Sequence, residues 1–176
     1  DLKGNYQKKN IKTVLKSIEL LNGIGYKISK LHLEDGLKNV IGNTGFQGRW
    51  QVLQNEPLII CDTAHNESAL KEVISQLVNL NYSNLHMIIG FTSDKNLNKI
   101  SKIFPDDSKY YFVKPDIIRG RDAKEVKQIF QSNNRIGDYF QSTIEAIEKV
   151  KHISDKNDVI FIGGSTFVVS EAFDEN

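Results

Sequence analysis

Cysteine is almost absent from this 176-residue sequence, which carries one, Cys61. No intrachain disulfide is possible, and a lone Cys inside an apolar run reads as a small core residue. The four histidines, His32, His65, His86 and His152, are scattered. No H-E-x-x-H or paired-Cys pattern accompanies them, so no metal set is expected from this chain. Net charge is nearly absent too, at +1, so there is no global basic field to recruit nucleic acid. No apolar run approaches the roughly 20 residues that cross a bilayer, which argues against a membrane protein. There is no signal-peptide pattern, no internal repeat and no low-complexity tract. The first residue, Asp1, is not a Met, so the sequence reads as starting inside a longer protein. Most informative is the lack of G-x-x-x-x-G-K-S/T, because without it there is no phosphate-cradling P-loop.

What is present suits an ordinary folded domain, with 39% hydrophobic and 26% charged residues. Residues 5–22 carry an apolar stripe (Ile11, Val14, Leu15, Ile18, Leu21) that predicts a helix ending at Gly23. Gln7 and Asn10 share a face of its first turn. Ser29 is placed to cap a second helix through Leu31, Leu33 and Leu37. Gly42 to Gly48 reads as a flexible or ligand-approaching loop, and Arg49 follows it ahead of a strand from Trp50 to Leu53.

From there strands alternate with helices. Leu58–Cys61, Leu85–Gly90, Tyr110–Val113 and Asp158–Ile162 are apolar without alternation, as strands buried on both faces should be. Helices are predicted after residue 66, after Asp94 as a cap, from Asp122, from Ser142 and after Ser165. Residues 133–137 are too short and polar to assign. Such alternation predicts an α/β fold with a mostly parallel sheet and helices on both faces. Only Gln54 to Pro57 separate the first two strands, too few residues for a crossover helix, so that pair should be antiparallel and form an N-terminal edge.

Three predicted strand ends carry polar or glycine-rich turns: Asp62 to Asn66, Gly90 to Lys95 and Gly163 to Thr166. If the strands are parallel, all three share the edge where such sheets bind ligands. Asp62, His65 and Asn66 stand between an apolar strand and a helix start, where a cap and an anion site are both reasonable. The plain alternative is a turn and a cap. Ser165 after Gly163-Gly164 resembles a nucleophile elbow, but Phe167 sits where G-x-S-x-G needs glycine. Asp62 and His65 share one turn, a poor geometry for a catalytic relay with Ser165.

The same residues, in order, resemble a known family. Gly4 to Asn10 resembles G-x-H/Y-Q-x-x-N, and Gly48-Arg49-Trp50-Gln51 resembles G-R-x-Q. Asp62-Thr63-Ala64-His65-Asn66 is similar to D-G-A-H-N, Gly90 to Asn96 to G-x-x-x-D-K-D, and Gly163-Gly164-Ser165 to the family's glycine-serine ending. These motifs belong to the C-terminal part of folylpolyglutamate synthase, often bifunctional with dihydrofolate synthase, in the Mur ligase superfamily. The resemblance implies a Rossmann-like domain over residues 46–176. It makes residues 1–45 the helical tail of the central ATPase domain with an interdomain linker.

The activity implied is ATP-dependent attachment of L-glutamate to folate, to dihydropteroate, or to both, through an acyl phosphate. ATP and Mg²⁺ would be the cofactors, with Mg²⁺ held mainly by the N-terminal ATPase domain outside this chain. By the same resemblance Gln7 and Asn10 lie near the adenine, Arg49 reaches the phosphates, and Asp62 approaches the ribose. His65 lies near the phosphate or reacting region, and Ser165 positions glutamate. A cytoplasmic monomer is expected. Thr63, Glu67 and Asn96 depart from the usual Gly, Pro and Asp. Two other readings are a non-catalytic nucleotide-binding module and a cell-wall Mur-type ligase domain.

Overall fold

The computed structural model describes residues 1–173. Residues 174–176, counted above in the second unit, lie outside the described residues. Its sheet has six strands: β1 (Gln51–Asn55), β2 (Leu58–Asp62), β3 (Leu85–Ile89), β4 (Lys109–Phe112), β5 (Gly137–Tyr139) and β6 (Val159–Gly163). Their order is β1-β2-β6-β3-β4-β5. β1 pairs antiparallel with β2, and every other neighbouring pair is parallel. The α/β architecture with one antiparallel edge strand is the one expected.

Side-chain alternation along the strands divides the core in two. Ile60, Met87, Ile89 and Phe161 face α4 (Glu67–Leu77), α5 (Leu97–Ile100) and α6 (Ala123–Gln131). Ile59, Cys61, Ile88, Ile160 and Ile162 face α7 (Thr143–Ile153) and α8 (Thr166–Glu171). Covering on both faces is why these strands read as unbroken apolar runs. An aromatic group of Phe91, Phe104, Tyr110, Phe112 and Phe130 fills one end, with Phe130 centred 5.3 Å from both Phe104 and Phe112. The chain runs outward from β2 through β3 and β4 to β5, then returns as β6 between β2 and β3. That return is a topological switch, and the carboxyl ends of β2, β6 and β3 meet beside it.

Residues 1–45 are helical: α1 (Gln7–Gly23), α2 (Lys30–Lys38) and α3 (Val40–Thr44). Ser29 caps α2 as expected, its hydroxyl accepting from the His32 N–H. None of the three helices has a buried residue.

Three local features differ from the sequence reading. The glycine-rich loop is partly helical, since α3 includes Gly42 and ends at Gly45 in the left-handed region, φ 65°. Asn96, not Asp94, stands at the start of α5, and the Asp94 carboxylate instead pairs with Lys95 Nζ at 2.7 Å. Finally, residues 137–139 form the edge strand β5. A Cβ on Gly137 would stand 2.1 Å from the Tyr110 carbonyl oxygen, so glycine is what lets this strand approach.

Candidate active site

The β2–α4 turn is built around a buried carboxylate. Asp62 ends β2 and is 2% exposed. Its Oδ2 accepts from the Tyr6 hydroxyl at 2.6 Å and from the Trp50 N–H at 2.7 Å, and its Oδ1 accepts from the Ala64 N–H at 2.8 Å. Burial pushes this carboxyl above its ordinary range, while the three donors and the Arg49 charge pull it back. Burial and the Asp62 charge together push the neighbouring Cys61 thiol up to about 12, so it stays protonated and inert.

The Gly48 to Gln51 segment explains itself in the same way. Gly48 has φ 80°, and a Cβ there would lie 2.7 Å from Thr63 Cγ2. Its N–H donates to the Gln51 side chain at 2.8 Å, and its carbonyl accepts from the Thr63 N–H at 2.9 Å. Trp50 has φ 46°, a left-handed conformation that costs a non-glycine residue about 1–3 kcal/mol. The Asp62 bond and burial of the indole hold it there. This bent segment delivers Arg49 to the turn. The Arg49 guanidinium lies 5.7 Å from the Phe46 ring, and no carboxylate among the described residues pairs with it.

His65 Nδ1 donates to the Thr63 carbonyl at 2.9 Å, which leaves Nε2 as the free ring nitrogen. The Asn66 side chain caps α4 by accepting from the Ala69 N–H at 2.9 Å. A cavity of about 420 Å³ opens here, between the β2–α4 turn and the first turn of α1. Arg49, Asp62, His65 and Asn66 line it from one side, and Tyr6, Lys9 and Asn10 from the other. Charge, hydrogen-bond donors and a helix N-terminus thus converge on one opening. That arrangement suits a nucleotide or another phosphorylated ligand.

The remaining candidates lie outside this cavity. Gln7 holds the Asn10 amide at 2.8 Å and lines the neighbouring α1–α2 groove. Ser165 is 3% exposed, and its hydroxyl accepts from the Phe167 N–H at the start of α8. The three strand-end turns do share one edge, yet only Asp62 to Asn66 lines the cavity. At the third turn, a Cβ on Gly164 would stand 2.8 Å from the Gly90 carbonyl oxygen, so glycine there serves close approach of the loops. Among the described residues no three His, Cys, Asp or Glu side chains gather as a metal set, and no helix is long and apolar enough to cross a membrane. Of the lining residues that sequence reasoning passed over, Tyr6 is the one whose side chain is bonded to Asp62. It lay inside the first quoted motif, but nothing in the sequence showed its hydroxyl meeting a residue 56 positions away.

The match that decides the family covers the sheet-domain side of this site. A family model described as Mur ligase, glutamate ligase domain, matches residues 48–166. The chain belongs to that family. Two curated relatives and a solved structure locate it further. A probable bifunctional folylpolyglutamate synthase/dihydropteroate synthase of Haloferax volcanii is 27% identical over 172 residues, which is 97% of this chain and 20% of the relative. A dihydrofolate synthase/folylpolyglutamate synthase of Buchnera aphidicola subsp. Schizaphis graminum is 29% identical, covering 77% of this chain and 32% of the relative. Mycobacterium tuberculosis folylpolyglutamate synthase complexed with ADP superposes with a TM-score of 0.80 at 17% identity, over 98% of this chain and 40% of that one. This Mur ligase chain therefore spans a fifth to two-fifths of the length of these relatives.

Proposed function

We propose that this chain is the C-terminal part of an ATP-dependent ligase that joins L-glutamate to folate, dihydropteroate, or both, through an acyl phosphate. The observation that carries the reading is the cavity at the β2–α4 turn, where Arg49, Asp62 and His65 face Asn10. Arg49 pairs with no carboxylate among the described residues and has a planar fork suited to phosphate oxygens, so it neutralises charge on the nucleotide. Asp62, held by three donors, offers one remaining acceptor position to a ribose hydroxyl. Asn10, with Gln7 behind it, offers amides to the base. His65 Nε2 is free to meet the transferred phosphate, and positioning with charge stabilisation is most of what phosphoryl transfer requires. Ser165 is assigned to glutamate through the family pattern; its buried hydroxyl serves the loop that would hold the amino acid.

Residues 1–45 are assigned to the ATPase domain upstream. Four of their apolar side chains, Ile11, Val14, Leu20 and Leu31, are 38–73% exposed, which suits a surface covered by the rest of that domain. The divalent ion is assigned to that domain too, through the family resemblance. The reading places a monomeric enzyme in the cytoplasm, acting on small molecules rather than on nucleic acid or membrane.

The test is ATP- and glutamate-dependent extension of folate by the full-length enzyme with Arg49→Ala. Loss of one charge-assisted phosphate contact should lower kcat/KM by about 100-fold or more. Unchanged turnover would sink the assignment. The 176-residue chain by itself, which has no P-loop, should show no turnover in the same assay.

A further inference from the structure

α1 contributes no buried residue, yet its start is fastened to the sheet domain. The Asn5 N–H donates to Gln76 Oε1 at 2.6 Å, Gln76 Nε2 returns a bond to the Lys3 carbonyl at 3.3 Å, and Lys9 pairs with Glu72. Gly4 is fitted to the same hook, because a Cβ there would lie 2.6 Å from the Tyr6 ring. The Tyr6 ring packs against the larger core cluster. Two bonds of the hook reach residues that line the cavity, Lys9 to Glu72 and the Tyr6 hydroxyl to Asp62 Oδ2, and the second is the one that ends on the buried carboxylate of the β2–α4 turn.

We propose that Tyr6 is a positioning residue for the ligase reaction: its hydroxyl sets the Asp62 carboxylate for the nucleotide and makes nucleotide affinity depend on where the helical segment sits. The inference rests on the ligase reading above. An ionised carboxylate offers about four acceptor positions. Tyr6 and Trp50 share Oδ2, and Ala64 takes one position on Oδ1, which leaves a single position on Oδ1 for a ligand hydroxyl. The Trp50 and Ala64 donors are backbone groups of the sheet domain and do not change when the helical segment moves. Tyr6 is the only donor of the three that travels with α1. If the segment shifts away, Asp62 keeps two donors but loses the one that fixes its rotation from the cavity side. A hydrogen bond to a charged group contributes more than a neutral one, so this coupling reaches affinity and not merely geometry.

The experiment is Tyr6→Phe in the full-length enzyme, with Gln76→Ala beside it. The first keeps the ring in place and removes only the hydroxyl. The second removes the Asn5 and Lys3 bonds and leaves Lys9–Glu72 and Tyr6–Asp62 to hold the segment in place. Tyr6→Phe should raise KM for ATP about tenfold and change kcat less than about threefold, as expected for a lost ground-state contact. It should also move the acid limb of kcat/KM for ATP to higher pH. Asp62 would lose a donor that favours its charged form, while Arg49, which also favours it, and Lys9, His65 and Glu72, the other charged or titratable residues lining the cavity, stay unchanged. Gln76→Ala should leave KM for ATP within about twofold. An unchanged KM and pH limb in Tyr6→Phe would overturn the inference. So would an equal rise in Gln76→Ala, which would assign the effect to tethering alone. Both results leave the ligase reading standing so long as the unsubstituted enzyme turns over and Arg49→Ala does not. Absent turnover in the unsubstituted enzyme would instead remove the reading on which the inference stands.

Discussion

Residues 1–45 and the sheet domain after them solve opposite problems with similar residues. The sheet domain closes its own core: β3 and β6 are buried along their whole length, and four apolar positions of α4 are sealed against them. The helical segment has apolar stripes of comparable regularity but buries no residue in α1, α2 or α3. Periodicity in a sequence therefore announces that a face needs covering, without saying whether the cover is in the same stretch of chain. The cavity lies where these two regions meet, and Tyr6, Lys9 and Asn10 in its lining come from the segment whose helices bury no residue.

The largest effect that sharpens this contrast belongs in the aromatic group. Phe130 has no exposed surface and touches Phe91, Phe104, Tyr110 and Phe112. Phe130→Ala should cost about 3–5 kcal/mol in urea unfolding of this chain. A cost below about 1 kcal/mol would mean that the domain core is as loosely closed as the helical segment.

A second effect comes from the opposite edge of the sheet. His86 is fully buried, with Nδ1 on the Tyr111 hydroxyl at 2.9 Å and Nε2 on Asp158 at 3.2 Å. Burial lowers its pKa, opposed by the Asp158 bond, with Lys109 adding to the lowering. A histidine lowered in the folded state binds fewer protons there than in the unfolded chain, so stability rises with pH. Its contribution is complete above about 6.5, the ordinary histidine value, and is lost as pH falls towards the lowered value. Burial raises the Asp158 carboxyl, but its hydrogen bonds from Asn84, Asp155 and His86 together hold it below its ordinary range, so it titrates only in more acid solution and does not alter that window. Urea midpoints between pH 7 and pH 5 should fall in the unsubstituted chain and fall less steeply in His86→Gln. Parallel slopes would place the titration elsewhere.

The two regions also differ in how much of them could be read from sequence. β2, β3 and β6 were legible because burial on both faces writes itself as an apolar run. β5 was not: it is three residues long, Asp138 and Tyr139 are exposed, and Gly137 is there to pass the Tyr110 backbone. Asp94 looked like a cap because acids start helices, but its carboxylate is occupied by Lys95. In the cavity, Arg49, Asp62 and His65 came from ordered motifs, and the structure brings them together. Their supports were invisible. The Trp50 N–H and the Tyr6 hydroxyl on Asp62 are contacts between segments, and no local pattern encodes a contact between segments.

The smallest expected effect tests the contrast most directly. Ile11 lies on α1, 38% exposed, and lines an open apolar groove between α1 and α2. In this chain Ile11→Ala removes little that is buried and gains helix propensity, so the two contributions nearly cancel. Urea unfolding of the 176-residue chain should change by less than about 0.5 kcal/mol. In the full-length protein, with the groove covered, the same substitution removes a packed side chain and should cost about 2 kcal/mol or more. The difference between the two measurements, rather than either alone, reports whether the full-length protein covers the groove. Equal small values in both would mean that the groove stays open in the whole enzyme, and the helical segment would then need some other reason for its exposed stripe.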